Sequence, residues 1–330
     1  MKTEILTVLA LAALTSTATA DDYCDHARAV AAAEADLLVA PELFVTAGYT
    51  QQPAILFGEV ATTAKPRVLA GVQLGVLRIA AASATRGRAD AECHRHAAAE
   101  RITRGPTGRA LAAQLGVLDG AVAEGEAMVA KLATEVEQQV TTRPELIAAR
   151  LRLDELRALT AEAHRQLAML PGSAAPLAGA LAEQRVAIAE LEHHEGRART
   201  LSAFEVSVRA GIDRSLDQPN ETPYFATVAV TVNTGILFQH GANARAASAR
   251  QRLARAGEAA LAAQATTDTQ RAAQLAELIA QLEDDSAALA RLSGEEARRL
   301  RRSLWFDLVQ RKGERAFLVA RVSATRELAR

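Results

Sequence analysis

The chain has 330 residues, 49% of them hydrophobic but only 3% aromatic, and a formal net charge of -1. Near-neutral charge offers no basic face for a nucleic-acid partner, and an alanine-rich, aromatic-poor composition suits closely packed helices better than one bulky core. No nucleophile elbow, phosphate loop, metal-ligand set or paired-carboxylate motif stands in a suitable context, so no enzyme activity, catalytic residue or cofactor is predicted.

Residues 1–20 read as a secretory signal: Lys2 lies near the start, an apolar run extends from Ile5 to Leu14, and Ala18-Thr19-Ala20 gives the small-x-small cleavage pattern. That run is about ten residues, too short for the roughly 20 of a spanning helix. An exported chain with two cysteines, Cys24 and Cys93, predicts one disulfide. Asp21, Asp22 and Tyr23 stand where lipid attachment at Cys24 would need small and apolar residues.

Residues 21–40 form a helix ended by Pro41. Residues 41–81 hold a first β-hairpin. In "PELFVTAGYT" Leu43, Val45, Ala47 and Tyr49 alternate with Phe44, Thr46, Gly48 and Thr50, the period of a strand. Its partner is "RVLAGVQLGVL" at 67–77, where Val68, Ala70, Val72, Leu74 and Val76 oppose Gly71, Gln73 and Gly75; the connection carries Pro53, Gly58, Lys65 and Pro66. Residues 82–202 are a first long helical hairpin with its tip near 140–144, where Thr142 is a candidate N-cap and Pro144 stands near the first helical position. "RGPTG" at 104–108 is expected to kink or break the outgoing helix. The returning helix ends at Pro171-Gly172, and a third runs from about Pro176 to Leu201. Cys24 and Cys93 lie at similar distances from their strands, so antiparallel helices bring them to similar depths.

The strand rhythm returns in residues 203–238. Phe204, Val206, Val208, Ala210 and Ile212 alternate with Glu205, Ser207, Arg209, Gly211 and Asp213; "SLDQPNETP" supplies a turn, and Val228, Val230 and Val232 then oppose Thr227, Thr231 and Asn233. Residues 239–330 make a second long helical hairpin with its tip near 293–303, broken at Ser293-Gly294.

Each hairpin has one apolar face and one small or polar face, over about the ten residues that a tilted membrane strand requires. Val68, Val72, Leu74, Val206, Val208, Val228 and Val230 are therefore expected to meet lipid, and Gln73 and Thr231 a lumen. Four strands cannot close a passage, so several copies must share one barrel. The same alternation also suits a soluble four-stranded sheet with one face on the helices.

Three phrases in order carry a family resemblance: "TRPELIAARLRLDELRALTAEAHRQLAMLPG" at 142–172, "VTVNTGILFQHGANARAASARQ" at 230–251 and "SLWFDLVQRKGERAFLVARVSATREL" at 303–328. Together with the element order they resemble the TolC family of outer-membrane efflux proteins. The resemblance implies a mainly α fold with transmembrane β: a homotrimer whose subunits give four strands each to a twelve-stranded β-barrel in outer-membrane lipid, continued by a long α-helical periplasmic tunnel. It implies the outer-membrane channel of a tripartite efflux or type I secretion system, a passive duct working with a periplasmic adaptor and an inner-membrane transporter. Glu145 and Asp307 align with positions where the family places acids near the periplasmic constriction. The alternative is a soluble periplasmic coiled-coil envelope or adaptor-like protein, although an adaptor usually has one helical hairpin and this chain has two similar halves. His94 with His96, and His193 with His194, point apart on a helix and make no chelate. Basic "EEARRLRRS" at 295–303 reads as a solvated tip or an adaptor contact.

Overall fold

A computed structural model describes residues 20–56, 59–170, 175–216, 224–233 and 235–330. The signal segment and Pro171-Gly172 lie outside the described residues, as does most of the "SLDQPNETP" turn. In chain order the elements are α1 (Ala20–Val39), β1 (Glu42–Leu56), β2 (Glu59–Gly75), α2 (Val76–Glu137), α3 (Arg143–Ala168), α4 (Ala180–Ala203), β3 (Phe204–Ser215), β4 (Tyr224–Val232), α5 (Ile236–Ala290) and α6 (Glu295–Glu327). They fall into two compact units. One contains the sheet with residues 21–39, 76–95, 186–203 and 236–251, and the other contains residues 96–185 and 252–330.

In the sheet unit the order is β1-β2-β3-β4, antiparallel throughout. The first hairpin is longer than its alternating segments suggest, because the ladder continues through the expected connection to the pair Leu56↔Glu59. Proline is tolerated there because Pro53 lies on an edge strand, and Pro66 lends only its carbonyl on the β3 side, where it accepts from the Leu216 N–H (3.1 Å). Beside the sheet, α1 runs antiparallel to α2. Cys24 and Cys93 are joined in a disulfide with Cα atoms 5.0 Å apart, and Arg28–Asp90 (2.8 Å) and Arg86–Asp36 (2.7 Å) follow along the seam. Alanines 31, 35, 82, 84, 89 and 91 of these two helices are buried, and their small side chains allow close helix approach.

The helical unit has a string of small core clusters rather than one large core. Leu118 and Ala121 of α2, Leu153 and Leu156 of α3, and Phe306 and Val309 of α6 form one layer. Leu132, Leu146 and Ala149 form the layer nearer the first tip. Further layers contain Leu111, Leu115 and Ala163, then Ile102, Leu177, Ala180, Ala324 and Leu328, while Leu275 of α5 meets Leu318 of α6. Between α4 and α5, Arg185 donates to both oxygens of Glu258 (2.8 and 2.6 Å), which holds that carboxyl below the usual carboxylate range.

The expected break at 104–108 does not occur: α2 continues through Pro106. A single proline removes one helical hydrogen bond, and packing on both sides holds this turn in place. Leu177 lies against the backbone of Gly105, where an added Cβ would stand 2.3 Å from its Cδ2. At the first tip α2 ends in a Schellman-type turn. Val140 N–H donates to the Glu135 carbonyl (2.8 Å) and Gln139 N–H to that of Val136 (3.1 Å), with Gln139 left-handed at φ 58°. Thr142 occupies the N-cap position of α3 with Pro144 in the first turn, but its side chain makes no capping bond.

Candidate functional site

The sheet is the feature whose chemistry needs explaining. Its three ladders contain no change of register, so alternate residues of all four strands share a face. One face collects Leu43, Val45, Ala47 and Tyr49; Val68, Ala70, Val72 and Leu74; Phe204, Val206, Val208, Ala210 and Ile212; and Tyr224, Ala226, Val228, Val230 and Val232. The seven valine and leucine positions expected at lipid all lie on it. Gln73 and Thr231 lie together on the other face, with Glu42, Arg67, Glu205, Arg209 and Asp213.

Among the described residues the apolar face is largely uncovered, while the start of α2 reaches the polar face, where Arg78 lies against Gly75 and Ser207 is buried. Val45 is 75% exposed, Val228 70% and Val230 66%. A contiguous apolar surface of this kind is rare on a protein facing water on its own. Its length is telling: the apolar rows run from Phe204 to Ile212 and from Tyr224 to Val232, about 27 Å along the strand at 3.4 Å per residue and about 20 Å in height once tilted by the roughly 35–45° of a membrane barrel. The apolar band of an outer-membrane barrel is about 25 Å tall. Tyr49 and Tyr224 are exposed toward one end of this face, and Phe204 lies at the other. Among the described residues β1 and β4 pair with no further strand, so the sheet is open at both edges.

The opposite face is polar and partly self-paired. The Arg78 guanidinium donates to Glu42 and Glu205, the latter at 3.0 Å; the Gln73 amide reaches Glu205 at 3.4 Å; and Arg67 stands 3.6 Å from Asp213. At the centre Gly71 and Gly211 face each other. A Cβ on Gly71 would lie 2.3 Å from the Ala210 carbonyl oxygen, and one on Gly211 would lie 2.2 Å from that of Ala70. Gly71→Ala therefore loses stability despite removing a flexible glycine: overpacking costs about 1–3 kcal/mol and the stiffer unfolded chain returns about 0.5–1. Gly48→Ala meets no atom within 4 Å and is the matched control. Thermal melting of the two variants checks the difference, and equal melting temperatures would refute it.

The two acids expected at a constriction lie on the seam between α3 and α6, each facing its own arginine. Glu145, in the first turn of α3, accepts from Arg302 of α6 at 2.8 Å and from the Thr141 hydroxyl; its side chain is only 8% exposed. Asp307 of α6 stands 4.0 Å from Arg152 of α3 and is 43% exposed. The basic 295–303 segment thus spends one cation, Arg302, inside its own chain. That pairing was invisible in the sequence, since charge on a helix does not say which helix it meets.

Of the two histidine pairs, His193 and His194 serve packing. His193 and His194 meet edge to face at 5.5 Å, and the His194 ring covers Gly87, where an added Cβ would lie 2.3 Å from Cε1. Among the described residues no three His, Cys, Asp or Glu side chains converge on a point, and no helix is long and apolar enough to cross a membrane.

No protein-family model matches the chain, and no curated protein does. Among solved structures it is similar to the open state of the Neisseria gonorrhoeae MtrE outer membrane channel, at 14% identity and a TM-score of 0.49 over 96% of this chain and 87% of that one. The outer membrane protein VceC of Vibrio cholerae follows at 14% and 0.43, covering 93% and 89%, and the Campylobacter jejuni CmeC channel at 12% and 0.41, covering 93% and 81%. The likeness is to outer-membrane channels of the TolC family. At these identities and scores it says what the chain resembles and no more, so function is read from the sheet itself.

Proposed function

We propose that the chain is an outer-membrane exit duct for efflux or secretion, three copies of which close one twelve-stranded barrel continued by their helices as a periplasmic tunnel. The observation that carries this reading is an open four-stranded sheet whose uncovered apolar face has the strand length that a tilted membrane strand requires. Lipid on that face removes it from water, and neighbouring copies supply partners for β1 and β4. The polar face then lines the passage, with Gln73 and Thr231 in it. The duct is passive and works with a periplasmic adaptor and an inner-membrane transporter, as the family resemblance in the three sequence phrases implies. Glu145 and Asp307 narrow the periplasmic end; Asp307 is the more exposed of the two.

The test is extraction followed by reconstitution. The protein should leave the membrane only in detergent, scatter light as a trimer and form pores in planar bilayers. Recovery of a detergent-free monomer from the osmotic-shock fraction would instead identify a soluble envelope protein.

A further inference from the structure

We propose that the polar face of the sheet carries a contact site for planar aromatic anions, built from Phe44, Phe225 and Arg209 over a glycine floor. The proposal rests on the channel reading above, in which this face lines the passage.

The site begins with register. Phe44, Gly71, Gly211 and Phe225 are paired in succession across all four strands, so they form one row on one face. In a flat sheet the two outer positions are three strand spacings apart, about 14 Å. The phenyl rings nevertheless meet with centroids 6.2 Å apart and planes inclined at 56°. The rings therefore lean inward along the sheet, over the two residues that have no side chain. No larger residue fits the floor, because a Cβ at either glycine strikes the facing backbone. The result is an apolar patch on the mainly polar face, two inclined phenyl rings closed over a peptide floor with their outer surfaces free to stack.

Charge then selects the ligand. Arg209, in the neighbouring row, places its guanidinium carbon 6.0 Å from the Phe44 centroid. The acids of this face are engaged elsewhere: Glu42 and Glu205 with Arg78, and Asp213 with Arg67. Among the described residues no carboxylate lies within ion-pairing distance of Arg209, and its side chain is exposed. A fixed cation beside an aromatic patch matches a solute with a flat ring and a carboxylate or sulfonate at its edge. The ring stacks on the phenyl surface while the anion takes the guanidinium fork. Aromatic cover over sheet glycines also occurs for purely structural reasons. That explanation accounts for the phenylalanines and for Arg209 stacking on Phe44, but it gives no anion to the Arg209 charge, so Arg209 provides the discriminating variant.

The experiment uses full-length protein in detergent and naphthalene-2-sulfonate as the probe, with binding read by the probe's fluorescence and current read in planar bilayers. Parent protein should bind the probe, and the probe should reduce its current. Arg209→Gln, at an exposed position, should weaken binding at least tenfold without loss of trimer, and Phe44→Ala with Phe225→Ala should do the same if it assembles. Cyclohexanesulfonate should bind parent at least tenfold more weakly than the aromatic probe. Equal probe binding by parent and Arg209→Gln overturns the site, as does equal affinity for the two sulfonates. A parent that binds the probe with these dependences but passes no current supports the site and counts against the channel reading. A conducting parent whose current and fluorescence ignore the probe retains the channel and refutes the site.

Discussion

Arginine at Val72 or Val230 is expected to cost about 2 kcal/mol and to keep the chain out of the membrane, since charge on a lipid-facing barrel strand is most costly at the midplane and less so toward the interfaces. Both residues lie on the apolar face, two residues to either side of its central row of Leu74, Val208 and Val228, and are 43% and 66% exposed. Their exposure sharpens the comparison between lipid and water. Had the face been packed on helices, arginine there would be damaging through burial and would discriminate nothing. On a face left in water, arginine would be harmless or would improve solubility. Only a covering of lipid, or of a partner of similar polarity, makes it harmful. Arginine at Gln73 or Thr231, one position away on the opposite face, should be tolerated for assembly and should change ion selectivity instead, because a lumenal charge stays in water. Trimer recovered from outer membranes measures the first effect and reversal potentials in planar bilayers measure the second. If both valine variants insert and trimerise like the parent, the lipid-facing assignment fails.

Removing the disulfide should have an effect of similar size at the other side of the same unit. Cys24 and Cys93 are 69 residues apart in sequence and enclose the whole first hairpin. Closing a loop of that length restricts the unfolded chain by about 4 kcal/mol in the chain-entropy description, and measured native disulfides span about 2–5. The other polar links from α1 to α2 are weak by comparison. Arg28–Asp90 and Arg86–Asp36 join side chains that are half-exposed or more, and such pairs contribute about 0–1 kcal/mol each. In the double variant Cys24→Ala, Cys93→Ala, amide protection in α1 should fall about a thousandfold, the equivalent of about 4 kcal/mol. Hydrogen exchange resolved along α1 measures this directly. Unchanged protection would show that the alanine seam alone holds the helix.

The sequence by itself determined which residues of each strand share a face, because side-chain alternation is a local property with a period of two. Leu43, Val72, Val208 and Val228 could each be assigned to the apolar side from about ten residues of context, and the unbroken ladders kept those assignments in phase. The helical hairpins were legible for the same kind of reason, since apolar spacing and the breaks at 140–144 and 293–294 are local. Tertiary structure alone decided what depends on long-range pairing. Nothing near Phe44 indicates that Phe225 will lie over the same two glycines, because register is fixed by partners more than a hundred residues away. Gly105 and Pro106 read as a helix break, yet α2 runs through them because Leu177 packs against that turn. Pro53 and Pro66 read as a connection, yet they lie in a ladder because Pro53 is on an edge strand and Pro66 contributes its carbonyl to Leu216 where no N–H is needed. Glu145 looked like one more acid at a helix start, and only the approach of α6 gave it Arg302. Local periodicity is written in neighbouring residues, whereas register, edge position and choice of charge partner belong to the packed chain.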